Sequence, residues 1–539
     1  MFIILSFLIC MALVAFYVVR QVRKTNLKSQ DGYFLAGRSL TAPVIASSII
    51  LTNLSTEQLI GQSGQAYKVG MGPMAWEATA CLATVMLAAI FLPRYLKAGI
   101  TTIPEFLKTR FDETTKRIIT VLFLLGYLFC YLPTVLYSGA LVFNQIFGVS
   151  KALECTDFQA VILVATALGV IGAAYAIIGG LKASASADTL FGIGLIIGGT
   201  MIPILGISSI GGGNFIDGLK QLVQLVPAGH FNAINPADAK SPMVPWPLLF
   251  SGMLFNNLFY WCTNQSIIQR ALAAKNLKEA QKGAFLAGCF KLLTPLVITF
   301  CGIIAYGKFN GTDIGSLISA NMDLAYPQLV TSVLPKALLG FFAAVLFGAI
   351  MSSFNGALNG SIAMYTLDLH KPIFNPKASD EHIVKVGRRF GIILAAVSVC
   401  VAPLISFFPS GLYDFLQSCF GFYNMPILAA VVVGIFSKRV PAMGPKVALI
   451  THVILYSASK VIPGVRDLHY LYVLSALFVI DTCIMLLVGK LRPRKEEFVL
   501  QDVHAVDLTP WKYLKLASVL CILVLVVEYI VFSPLGLAK

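Results

Sequence analysis

The sequence predicts an all-α membrane protein of about fourteen transmembrane helices. Three observations lead there. Of the 539 residues, 57% are hydrophobic and 12% charged, about half the ~25% charge of soluble domains, and mean hydropathy is +0.82. Apolar segments of about 20 residues, the length that crosses a ~30 Å hydrocarbon layer, recur along the whole chain. Finally, 30 of the 40 Lys and Arg residues fall in loops on one side, 9 fall on the other, and Lys291 lies within a span. That bias orients the chain with its basic loops inside. It predicts one polytopic domain over 1–539, in the cell (inner) membrane, with both termini outside.

The first span, near 1–20, is apolar from Phe2 to Val19 except for Ser6. Arg20, Arg23 and Lys24 follow it, whereas a secretory signal carries its basic residues in front. The second, 41–66, begins with Val44-Ile45-Ala46 and Ile49-Ile50-Leu51 and is then interrupted by Thr52-Asn53-Leu54-Ser55-Thr56-Glu57-Gln58. Unpaired polar groups in hydrocarbon cost several kcal/mol each, so this run must line a cavity. Spans near 73–96, 117–147, 157–178 and 184–208 follow. The seventh, 244–271, is broken in its turn by Asn256, Asn257, Thr263, Asn264 and Gln265. Further spans lie near 280–309, 336–370, 384–407, 411–436, 443–462, 468–490 and 511–533. Two interrupted spans five apart point to an inverted repeat with its site at mid-membrane. The halves are 41–208 and 244–436. The flanking helices are 1–20, 443–462, 468–490 and 511–533.

Several function classes drop out. No GxxxxGK[ST] sequence is present, so ATP hydrolysis is not expected and any coupling energy must come from an ion gradient or an outside partner. The chain does not read as an enzyme and calls for no organic cofactor. Its net charge of +15 is a topology signal rather than a nucleic-acid surface. The eleven cysteines contain no CxxC pair, only Cys155 falls in an outside loop, and the six histidines match no metal spacing.

Ionisable residues within spans read as functional until partners explain them. Glu77 is followed by a long apolar run to Leu92, and Lys291 sits several turns from the inside basic loop. They can neutralise one another, as a structural pair or as one that also binds a polyol. Gln417 adds an amide to the eleventh span, for a ligand or for a neighbouring helix. In the ninth, Ser352, Asn355 and Asn359 recur at i, i+3 and i+7 and share a face. Ser352 and Ser353 offer hydroxyls of the kind hard cations take, although such serines also bond back to their own helix. Asp188 lies near the inner end of the sixth span, either as part of an ion path or as an interfacial carboxylate. Asp481 and Glu528 fall outside the repeats and read as helix-packing or interfacial residues.

Through Asn53-Leu54-Ser55-Thr56-Glu57-Gln58, the stretch Tyr175 to Asp188, and Asn264-Gln265-Ser266-Ile267-Ile268-Gln269-Arg270-Ala271-Leu272-Ala273-Ala274-Lys275, the chain resembles the sodium/solute symporter family, in its sodium/sugar branch. The resemblance runs from about Gly32 to the twelfth span. It implies a LeuT-like five-plus-five inverted-repeat fold with flanking helices. It also implies a sugar pocket of Gln58, Glu77, Asn257, Lys291 and Gln417. Tyr260 with Trp261 would form the inner gate, and Trp76 and Tyr413 the outer gate. Sodium would sit between the Leu51, Leu54 and Ala349 carbonyls and the Ser352 and Ser353 hydroxyls, with Asp188 on its exit side. Ala80 departs from the pattern by lacking a hydroxyl, Gln62 by being polar at an apolar gate position, and Trp76 by replacing a tyrosine.

The expected activity is sodium-coupled import of a neutral hexose such as galactose or glucose by alternating access, with a monomer sufficient. One charge crossing 100 mV releases about 2.3 kcal/mol, and tenfold accumulation of a neutral solute needs about 1.4 kcal/mol. The rivals are the same fold carrying a sugar acid, an inositol or a vitamin, proton coupling, and a non-transporting sugar sensor. A sensor would carry a large cytosolic output domain, and no stretch is long enough to form one.

Overall fold

The computed structural model describes residues 2–23, 25–240, 243–407 and 412–539, with the backbone but not the side chains of 412–415. Nearly all of it is helix, and pairing between extended segments is confined to three isolated bridges among the described residues. Among the described residues nine helices are long and apolar enough to cross a bilayer, fewer than the fourteen spans expected. The difference lies in three spans that break, one pair that merges, and the helix Met443–Ser459, which has only 17 residues. We number the main helices α1 (Phe2–Val22), α2 (Ala42–Asn53), α3 (Thr56–Val69), α4 (Met74–Ala98), α5 (Glu113–Phe147), α6 (Asp157–Ile210), α7 (Gly252–Cys262) and α8 (Gln265–Leu272). They continue as α9 (Leu277–Phe309), α10 (Lys336–Phe374), α11 (Asp380–Phe407), α12 (Leu412–Phe420), α13 (Asn424–Phe436), α14 (Met443–Ser459), α15 (Tyr470–Leu491) and α16 (Leu514–Val531).

The 54 residues of α6 would reach about 80 Å unbroken at 1.5 Å per residue, far beyond the hydrocarbon layer. They break at Gly180, with φ 56° and ψ −158°, a conformation open to glycine alone. Tyr33 fills the space a side chain there would need. The expected spans 157–178 and 184–208 are therefore the two arms of one element.

Both breaks anticipated from polar runs are present. α2 stops at Asn53 and α3 restarts at Thr56. α7 stops at Cys262 and α8 restarts at Gln265, capped by the Asn264 side chain on the Ser266 N–H. A third break, between α12 and α13, carries no such polar signal. Three long helices loosen into π turns just before a proline. These turns are Leu87–Phe91 ahead of Pro93, Tyr127–Tyr131 ahead of Pro133, and Met364–His370 ahead of Pro372. A proline removes one N–H and crowds the preceding carbonyls, so the local ladder shifts.

Segments 41–208 and 244–436 meet where α6 packs on α10 and α2 packs on α9. Contact is close because Gly348 of α10 receives the Phe191 ring of α6, where a Cβ would lie 2.1 Å from Phe191 Cγ. Leu5, Leu8, Ile9, Leu13 and Phe16 of α1 and most of the apolar residues of α16 are exposed, as lipid-facing helices should be.

Candidate functional site

The first break strips two carbonyls of their helical partners. In an unbroken helix the Leu51 carbonyl would accept from Ser55 N–H and the Leu54 carbonyl from Gln58 N–H. Instead, Ser55 N–H turns to the Asn53 carbonyl at 3.0 Å and Gln58 N–H to the Ser55 carbonyl at 3.1 Å. Opposite them, Ser353 of α10 donates to the Thr52 carbonyl at 2.7 Å, which also accepts from Tyr131 OH at 3.3 Å. The Thr52 hydroxyl donates to the Ser48 carbonyl at 2.7 Å and lies 3.0 Å from the Ser352 hydroxyl, which therefore donates to it. Thus the break that carries Leu51 and Leu54 meets α10 at Ser352 and Ser353 through Thr52, and Ala349 is buried one turn before the serines. The oxygens are carbonyls and hydroxyls. Among the described residues no group of three His, Cys, Asp or Glu side chains forms a metal cluster.

Asp188 is 2% exposed, so the interfacial alternative falls away. Its carboxylate accepts from the Ser48 hydroxyl and lies 3.9 Å from Arg270 Nη2. Sequence reasoning counted Arg270 among the inside-loop charges. It is 0% exposed. Its guanidinium donates to Ser48 Oγ at 2.8 Å, the Ser266 carbonyl at 2.5 Å and the Ser352 carbonyl at 3.3 Å. One side chain thus ties both breaks to α10. The signal was available, since Arg270 ends the polar-apolar run of α8, but a hydropathy window cannot tell a capped loop charge from a buried one. Arg110, also counted as a loop charge, is likewise buried. It donates to the Gly434, Ser437 and Val440 carbonyls at 3.0, 2.6 and 3.1 Å, closing the C-terminus of α13.

A few ångströms of chain away, the breaks enclose a cavity. Asn53, Glu57 and Gln58 line it from the first break, and Asn256, Asn257, Tyr260 and Trp261 from the second. Trp76, Glu77, Tyr131 and Lys291 close its sides, and Leu416, Gln417 and Phe420 of α12 complete it. All five sequence-predicted pocket residues are there, with three of the four predicted gate aromatics. The fourth, Tyr413, falls where only the backbone is described. Glu77 and Lys291, each 1% exposed, form an ion pair. Gln62 donates to the free side of the Glu77 carboxylate at 2.7 Å, so the polar residue at this gate position is a partner of the pair. Trp261 presents its ring 5.5 Å from Lys291 Nζ, close enough for cation–π attraction. Asn257 donates to the Thr79 hydroxyl at 2.8 Å, which supplies a hydroxyl beside Ala80. Gln417 accepts from Asn256 at 3.4 Å, and Asn256 accepts from Asn424 at 2.7 Å. The amide therefore both faces the cavity and joins helices.

Glu57 was noticed only as part of the polar run. It is 2% exposed, lines the cavity, and its Oε2 has no hydrogen-bond partner. It stands in the first turn of α3, where the helix dipole favours a carboxylate. Gln58 Oε1 and Asn53 Oδ1 are also buried without partners. The cavity volume is about 30 Å³, the share of one water in the liquid, against about 300 Å³ or more for small-molecule pockets. Away from the cavity, Asp481 pairs with His452 at 2.8 Å. The Oε2 atom of Glu528 is buried without a partner.

The sequence model of the sodium:solute symporter family matches residues 33–452. Among curated proteins, the chain is 46% identical over 516 residues to the uncharacterized symporter YidK of Escherichia coli K12, covering 96% of this chain and 88% of that one. It is 32% identical over 452 residues to the sodium/glucose cotransporter of Vibrio parahaemolyticus, covering 81% and 80%. It is 30% identical over 489 residues to the pig sodium/myo-inositol cotransporter 2, covering 83% and 70%. In fold it is similar to a sodium-coupled sialic acid symporter solved in a substrate-bound, outward-open state, with TM-score 0.76 and 18% identity over 92% of this chain and 99% of that one.

Proposed function

Because this chain belongs to the sodium:solute symporter family, we propose that its solute is a neutral monosaccharide, a hexose such as galactose or glucose, imported by alternating access. The chain is a multi-pass membrane protein and a sodium-coupled solute symporter, not an enzyme. The fourteen-span reading counts each broken span once and α6 twice. It keeps the repeat halves 41–208 and 244–436 and puts both termini outside the cell membrane. A monomer encloses the whole site, so a monomer is taken as the working unit.

One observation supports a neutral polyol above the rest. The cavity's only cation, among the described residues that line it, is Lys291, which is already paired with Glu77. A second carboxylate, Glu57, faces the same space. A carboxylated solute would meet an uncompensated negative site, whereas sugar hydroxyls can donate to the unpartnered Gln58, Asn53 and Glu57 oxygens. Sites that pair hydroxyls reject analogues lacking them strongly. Tyr260 and Trp261, with ring centroids 5.8 Å apart, form the inner wall of this reading and Trp76 the outer one.

Sodium is read between the Leu51, Leu54 and Ala349 carbonyls and the Ser352 and Ser353 hydroxyls, leaving past Asp188. There it would hold α2 against α10. Coupling of this kind is typically about 1–3 kcal/mol, and sugar must tighten sodium as much as sodium tightens sugar. Ser353→Ala is expected to raise the sodium concentration for half-maximal uptake roughly tenfold, as expected for one oxygen contact to a charge, with little change in sugar affinity at saturating sodium. An unchanged sodium dependence counts against these ligands.

The test of the function is counterflow of labelled galactose and glucose in proteoliposomes with and without sodium. Flux without sodium, or with protons in its place, rejects the coupling. Flux only with sialic acid, an inositol or a vitamin replaces the hexose with that solute.

A further inference from the structure

Helices α14 and α15 belong to neither repeat half, yet they grip the third break. Gly421, just beyond α12, closes its N–H on the Gln417 carbonyl at 3.1 Å. Its own carbonyl accepts from His452 Nε2 at 2.9 Å. His452 Nδ1 lies 2.8 Å from Asp481 Oδ2, and both side chains are 0% exposed. One turn along α14, Tyr456 donates to the Ser418 carbonyl at 3.0 Å. Its hydroxyl occupies the place a Cβ on Gly421 would take, 2.2 Å away.

The proton count of this cluster follows from its acceptors. A carbonyl oxygen only accepts, so Nε2 carries a hydrogen. Nδ1 and Oδ2 meet at hydrogen-bond distance, so one further hydrogen lies between them, on the ring or on the carboxyl. The pair thus holds two protons and is neutral as a whole. With one proton removed, a bare ring nitrogen must face either the Gly421 carbonyl or the carboxylate, and a buried negative charge is left without compensation. Only the doubly protonated pair satisfies both contacts.

We propose that His452 and Asp481 form a buried proton-binding site that positions the turn behind the cavity. With the proton bound, His452 holds Gly421 and, through that turn, Gln417 and Phe420, which line the cavity. With the proton lost, the Gly421 carbonyl is released and α12 is free to shift. Both are positioning residues, and the ligand of the site is H⁺. Other titratable groups surround the pair. Tyr456 stacks on His452 with centroids 6.0 Å apart, and Lys460 Nζ lies 4.6 Å from the centre of the Tyr456 ring. Cys419 and Tyr423 flank the break, α13 carries no titratable side chain, and Cys483, two residues from Asp481 on α15, is exposed.

The inference rests on reading the cavity as the solute site, so its test has two arms. The first is labelled galactose counterflow at equal pH on both faces, from about pH 5 to about pH 9, the range in which imidazole–carboxylate pairs titrate. The second is tryptophan fluorescence of the purified protein on adding sodium alone, since Trp76 and Trp261 line the cavity. In both, the wild-type response is expected to fall roughly tenfold as pH rises, the effect of about one hydrogen bond. In Asp481→Asn the amide donates to Nδ1 and no carboxyl proton is left to lose. Its profile is expected to be flat with pH. His452→Ala is expected to be low throughout. A flat wild-type fluorescence profile, or the same sloping profile in Asp481→Asn, overturns the proposal. Absence of galactose flux with a sloping sodium response rejects the sugar reading and leaves the proton site standing.

Discussion

Lys291→Ala is expected to abolish solute uptake, to about a hundredth of wild type or less. The ammonium lines the cavity with its partner Glu77, both essentially out of solvent. Removing one member of a buried pair leaves the other charge uncompensated, at a cost of about 3–5 kcal/mol, a factor of a hundred or more. Gln62 donates to the Glu77 carboxylate but, as a neutral amide, cannot balance it. The substitution should therefore damage both binding and stability. A second variant separates the two. Glu77→Gln combined with Lys291→Met removes both charges at similar volume, and such replacements are often neutral for folding. The double variant should recover thermal stability without recovering uptake. Uptake measured in proteoliposomes at equal folded protein decides the matter. If Lys291→Ala carries sugar normally, the pocket assignment is wrong. Gln58→Ala should lose uptake without the stability defect, because Gln58 Oε1 leaves no partner behind.

Arg270→Ala should have the larger effect on the fold itself. The guanidinium is the hub between Ser48 of α2, Ser266 of α8, Ser352 of α10 and Asp188 of α6. Its loss leaves the buried Asp188 carboxylate without its cation, so a fall of about 3–5 kcal/mol and a sharp drop in monodisperse protein are expected. Arg270→Lys keeps the charge, but an ammonium cannot reproduce a planar fork that serves several acceptors. It should give folded protein with weakened sodium coupling, read as a shifted sodium dependence of uptake. Asp188→Asn with Arg270→Met should restore folded yield and not transport. Wild-type yield and melting temperature for Arg270→Ala would refute the hub.

Much of this was legible in residue order. The polar runs 52–58 and 256–265 sit at two real breaks. Gln58, Glu77, Asn257, Lys291 and Gln417, scattered over the chain, line one cavity. The third break was not legible, because Gly421 and Phe422 differ little from their apolar surroundings and the partners that satisfy the exposed backbone come from other helices. Arg270 and Arg110 were misplaced for a related reason. Each lies next to true loop charges, and only packing decided which side chains turn inward.

What residue order determined by itself was the solvent of each segment. Hydropathy, charge bias and broken spans are properties of neighbours in the chain, and they set membrane residence and the depth of the polar runs. What the tertiary structure decided was partnership. Glu77 and Lys291 are 214 positions apart, Ser48 and Arg270 222. A buried polar group must find a partner, but that need does not say which one. The choice falls to helices that pack side by side, and their geometry is absent from any local window of the sequence.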